Sequence, residues 1–144
     1  PFVSSCEAYA YKTIGVLPRK QNKVKRRTRY FDYILLKINT RVATIQRGES
    51  DIWAKMVEFP CVESVKELDA SVIEELFEEK FEMKFSLSNP TVLKKHVLSH
   101  QDIMYRIWEG EAKDQACDQF RMVPVPDLEE LPFPKLLENY ILEM

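Results

Sequence analysis

From Tyr30 the chain is rich in aromatic and β-branched residues as far as Pro60, and after that proline the apolar period becomes helical. Tyr30 to Ile38 (YFDYILLKI) has strong strand character, and Asn39-Thr40 is a turn pair leading into Arg41–Arg47 (RVATIQR). Gly48 to Asp51 reads as a loop, followed by IWAKMVEFP from Ile52 to Pro60. From Asp69 onward Val72, Ile73, Leu76, Phe77 and Phe81 recur at helical spacing, leaving Glu74, Glu75, Glu78, Glu79 and Lys80 mostly on other faces. Ser71 and Glu74 have the spacing of a capping box, with Asp69 as the alternative cap.

Asn89-Pro90 marks a turn, beyond which Thr91–Val97 and Ile103–Trp108 both resemble strands. Leu98-Ser99-His100-Gln101 is then the turn of a hairpin. Ile103, Tyr105 and Ile107 alternate with Met104, Arg106 and Trp108, so large side chains face both ways and this strand belongs inside a sheet. Phe120–Val125 adds a short strand closed by Pro124 and Pro126. Pro134 opens a last helix, with Leu136, Leu137, Tyr140 and Ile141 on its buried stripe. Strands interrupted by one helix and finished by another predict an α+β domain, an α/β/α sandwich with a mixed sheet between helices.

At 144 residues and 45% hydrophobic content, the chain is one domain able to bury a core. Its net charge of -2 hides an uneven distribution: no acid occurs between Ala8 and Phe31, whereas acids crowd Glu58 to Glu82. Seven of the eleven residues from Arg19 to Arg29 are basic. Such a run reads either as a solvated connector extended by self-repulsion or as a set of phosphate contacts, each releasing counterions. No apolar run approaches the ~20 residues needed to span a bilayer, and no signal peptide is visible. Three widely spaced cysteines, Cys6, Cys61 and Cys117, argue against a disulfide framework and for a reducing compartment. Opening on Pro1 without an initiator methionine, the chain reads as a piece of something longer.

Four segments occur in a telling order: the basic run with RYFDYILL, then IWAKMVEFP, HVLSHQDI and LPFPKLLENYIL. Over essentially its whole length the chain resembles the C-terminal domain of the MutY family, the adenine DNA glycosylases that remove adenine mispaired with 8-oxoguanine. The resemblance implies a Nudix-like fold, with residues 1–28 as the end of an iron–sulfur segment and basic connector, and 29–144 as a lesion-recognition domain. It implies base-excision repair on double-stranded DNA containing 8-oxoguanine:adenine, with adenine removed by an N-terminal catalytic domain of the same chain. The whole protein would be the hydrolase, and this piece alone would carry no catalytic residue. Cys6 resembles the last ligand of the family's C-x6-C-x2-C-x5-C motif; a [4Fe-4S] cluster needs four thiolates, so this piece would hold no cofactor. A monomer is implied, in the bacterial cytoplasm near the nucleoid, or in a eukaryotic nucleus or mitochondrion.

The family reads 8-oxoguanine with a Phe-Ser-His loop, and Leu98-Ser99-His100 matches it in two of three positions. Oxidation turns guanine N7 from an acceptor into an N–H donor and adds a carbonyl acceptor at C8. A serine hydroxyl can accept from the first and donate to the second, so Ser99 suits that edge; a good contact gives ~1–3 kcal/mol of discrimination. His100 would touch phosphate or sugar, or stack on the base. Leu98 would press between bases as an apolar wedge. His96 is expected to be a strand residue with a local partner. Lys23, Lys25, Arg26, Arg27 and Arg29 would supply nonspecific grip on the DNA backbone.

The hydrolase signature G-x5-E-x7-R-E-U-x-E-E-x-G-U, U being a bulky aliphatic residue, tests a different outcome. Aligned on EELFEE, it keeps only Glu75, Leu76, Glu78 and Glu79; Pro60 and Phe81 replace its glycines, Lys66 its first glutamate and Glu74 its arginine. The helix is therefore expected to present a solvated acidic face. Two further classes stay open, a Nudix-type nucleotide pyrophosphohydrolase and a protein-interaction module docking through the basic run.

Overall fold

The computed structural model describes residues 26–112 and 119–144. Among these residues eight strands form one mixed sheet: β1 Arg27–Ile38, β2 Arg41–Gln46, β3 Val57–Glu58, β4 Cys61–Ser64, β5 Phe85–Ser88, β6 Lys94–Val97, β7 Gln101–Ala112 and β8 Arg121–Pro124. The main path runs β3-β2-β1-β7-β5, with β4 on β1, β6 on β7 and β8 on β2. Helix α1 spans Ala70–Phe81, a short 3₁₀ helix spans Val125–Glu130, and α2 spans Lys135–Leu142.

Strand β1 is the spine of the sheet. Phe31, Tyr33 and Leu35 point to one face, where they join Phe59, Phe133, Leu136, Leu137 and Ile141 beneath α2. Ile34 and Leu36 point to the other, where they meet Ile73, Phe77, Phe81, Phe85 and Phe120 beneath α1. A strand with both faces buried needs apolar residues at successive positions, and YILL supplies them. The expected sandwich of helices around a mixed sheet is what the chain forms. Asn39 takes φ 58° in the β1–β2 turn, a left-handed conformation that asparagine tolerates.

Strands β1 and β7 pair in parallel from Arg27 opposite Gln101 to Leu36 opposite Gly110. Both are longer than the apolar pattern predicts, because their polar ends are held by this pairing rather than by burial. Arg27 and Thr28 accordingly lie in the sheet, ahead of the expected boundary at residue 29. Strand β7 carries partners on both edges, β1 on one and β5 and β6 on the other, as its two-faced pattern predicts. The capping box does not form: Asp69 occupies the cap position of α1 without a side-chain hydrogen bond, and Ser71 already lies inside the helix. Glu74 instead accepts a hydrogen bond from the Leu87 N–H at 3.0 Å, tying α1 to β5.

Candidate functional site

The hairpin forms as the pattern predicts, with Val97 opposite Asp102 and the Leu98 N–H donating to the Gln101 carbonyl at 2.9 Å. Ser99 and His100 stand exposed at its tip. Leu98 is half-buried and packs against the α2-side core. Its apolar side chain finds the sheet–helix interface at hand, and so anchors the tip. His96 lies on β6 with its ring 6.0 Å from that of Trp53, which in turn meets Phe31 edge-on at 6.0 Å. Trp53 holds φ 54°, a strained setting for a bulky residue, so the β2–β3 loop is fixed against the hairpin by its aromatic contacts.

The basic residues divide. Lys23 and Lys25 lie outside the described residues, as does Cys6. Arg27 is exposed at the start of β1. Arg26 is turned onto the hairpin tip: its guanidinium donates to the Leu98, Ser99 and Gln101 carbonyls and to the Asp102 carboxylate. That contact holds the Asp102 carboxyl below its usual range. Arg29 is buried, forking onto both oxygens of Asp51 at 3.1 and 2.8 Å and reaching Glu63 at 2.6 Å. Its charge is neutralised inside the protein, over the face of Phe31, which corrects the expectation that it grips DNA. The same contacts pull the Asp51 carboxyl well below its ordinary value, Arg29 first.

Arg47 completes this cluster, bonded to Glu58, Asp51 and Glu63. Burial pushes the Glu58 carboxyl up while Arg47 draws it back. Nothing in the sequence pattern marks these five residues as partners, nor Arg26 as a partner of the tip. The nearest signal is the local run LSHQD, in which a lone carboxylate follows the turn.

The profile of the NUDIX domain family matches residues 33–143. The chain belongs to the NUDIX domain family. Solved structures with the same fold include a MutT protein from Methanosarcina mazei, with a TM-score of 0.65 and 9% identity over 84% of this chain and 95% of that one. A MutT DNA mismatch repair protein of the Nudix hydrolase family, from methicillin-resistant Staphylococcus aureus, gives 0.63 at 11% identity over 82% and 95%. A NUDIX hydrolase from Nitrosomonas europaea gives 0.64 at 7% identity over 81% and 87%. At such identities the likeness is one of fold. No curated protein matches the chain by sequence.

Within this NUDIX domain, Glu75 and Glu79 are exposed on α1, and Glu78 approaches Lys84 at 3.9 Å. Lys80 donates to the Cys61 carbonyl at 3.2 Å, closing the helix onto β4. Glu63, the nearest acid on β4, is held by Arg29 and Arg47. Among the described residues no three histidine, cysteine or acidic side chains are grouped so as to hold a metal ion. No described helix is long and apolar enough to cross a membrane.

Proposed function

We propose that this NUDIX domain recognises 8-oxoguanine opposite adenine in duplex DNA, as the reader of a base-excision-repair adenine glycosylase of the MutY type. The observation that carries the reading is the hairpin tip: Ser99 and His100 stand free in solvent on a turn anchored by Leu98 and backed by Arg26. The Ser99 hydroxyl has the donor and the acceptor that the oxidised edge requires. Lys23, Lys25 and Arg27 add phosphate contacts, and Cys6 closes a [4Fe-4S] site whose other ligands, like the adenine-excising domain, belong to a longer chain. Fluorescence anisotropy with 8-oxoguanine:adenine and guanine:adenine duplexes tests this. Tighter binding of the damaged duplex, levelled by Ser99→Ala with His100→Ala, is expected; equal affinities for both duplexes overturn the reading.

A second reading is hydrolysis of a nucleoside diphosphate derivative. Family membership and the likeness to proteins named as MutT or Nudix hydrolases favour it more than they favour a glycosylase domain. Against it stand the lost glycines, first glutamate and arginine of the signature. Magnesium-dependent release of pyrophosphate from 8-oxo-dGTP, abolished by Glu79→Gln, would decide for it over the first.

A further inference from the structure

Arg26 immediately precedes β1, and its guanidinium lies against residues more than seventy positions downstream. Nη2 donates to the Leu98 carbonyl at 2.6 Å, the Gln101 carbonyl at 3.2 Å and Asp102 Oδ1 at 2.6 Å. Nη1 donates to the Ser99 carbonyl at 3.1 Å. The tip has one backbone bond of its own, from Leu98 N to Gln101 O, which leaves its other carbonyls to be organised from outside. Guanidinium donors lie in a rigid plane, and the two N–H groups of Nη2 are shared among three acceptors, so these contacts form together only when the three carbonyls and the carboxylate converge on that plane. A lysine ammonium, a point charge on a flexible stem, imposes no such arrangement. Asp102 keeps the fork in place and is itself approached by Lys95 at 3.5 Å.

We propose that Arg26 is a positioning residue that sets the specificity of the tip, fixing the backbone of residues 98–101 and so the direction in which Ser99 and His100 are offered. Its charge is engaged by the protein, in contrast to that of Arg27 next to it. What the tip binds rests on the function proposed above; that Arg26 orders it does not. The two neighbouring arginines should then fail differently when removed. Arg27→Ala weakens both duplexes by the same factor and lowers the salt dependence of binding by about one phosphate contact. Arg26→Ala lowers the ratio of affinities for damaged over undamaged duplex by about 5-fold or more, the lower end of one specific base contact.

The test uses the 144-residue chain and its Arg26→Ala, Arg26→Lys, Arg27→Ala and Asp102→Asn variants. Anisotropy measures both duplexes, and ¹⁵N relaxation measures the Ser99 and His100 amides without DNA. Arg26→Lys, which keeps the charge, is expected to behave like Arg26→Ala, and Asp102→Asn to loosen the same amides. If Arg26→Ala leaves the amides as ordered as in the parent, or changes both affinities by one factor as Arg27→Ala does, the positioning role is overturned. If the parent shows no preference for the damaged duplex while Arg26→Ala still loosens the amides, the ligand assignment falls and the ordering role stands.

Discussion

Arg47 Nη1 lies 2.9 Å from each carboxylate oxygen of Glu58, and both side chains are almost sealed from solvent. Removing one partner of a buried pair strands the other charge, whereas removing both does not. Arg47→Met is therefore expected to cost about 3–5 kcal/mol of stability. Arg47→Met with Glu58→Met should cost less than Arg47→Met alone. Urea denaturation of the two variants checks this, and an equal or larger loss in the double variant would refute it.

Tyr33 Oη is the buried side-chain polar atom without a hydrogen-bond partner among the described residues. Burial pushes its pKa well above the ordinary tyrosine value, so the hydroxyl stays neutral and unsatisfied at working pH. A buried unmet hydroxyl costs roughly 1–3 kcal/mol. Tyr33→Phe should therefore raise stability by about 1 kcal/mol, read as a shift of the denaturation midpoint at unchanged slope. A loss of stability would show that the hydroxyl has a partner after all.

Asp51 and Asp102 share a depressed folded-state pKa, through the guanidinium groups of Arg29 and Arg26 respectively. For a carboxylate lowered on folding, the stabilisation is complete above the unfolded value of ~4 and disappears as pH falls through the lower folded value. Acid should consequently loosen both the hairpin clamp and the Asp51 loop only below pH ~4. The side-chain carboxyl ¹³C shifts of Asp51 and Asp102 are expected to stay constant from pH 8 to 5 and to move, with loss of stability, only below pH ~4. Movement near pH 6 would contradict the assignment.

Gly110 sits on β7 where an added Cβ would lie 2.6 Å from Ile34 Cγ2 and 3.5 Å from both Leu36 and Phe85. The Ile34 methyl is itself fixed in the α1-side core. Gly110→Ala should cost about 1–3 kcal/mol by overpacking, measured by thermal or urea unfolding. An increase in stability would mean that the β1–β7 spacing can relax.

Much of the fold can be read from the chain because its turns and periods are local. Asn39-Thr40, the helical stripe from Ile73 to Phe81 and the two-faced strand around Tyr105 each carry their signal within a dozen residues. The hairpin tip is legible for the same reason. Arg29 is not, because it is a cation in a basic run until Asp51 and Glu63, 22 and 34 positions away, are folded onto it. The packing of Leu98 is hidden because its neighbours in sequence are polar while its neighbours in space are core side chains. The role of Arg26 depends wholly on the parallel alignment of β1 with β7, which no periodicity encodes.

That alignment also dictates the order of events during synthesis. Leu36 must wait for Gly110 to be made before the long edge of its strand is covered. Until then the stretch YILL is an adhesive ribbon, open to pairing with another nascent copy. The arginines just ahead of it, Arg26, Arg27 and Arg29, give that ribbon a positively charged flank, and like charges disfavour such pairing.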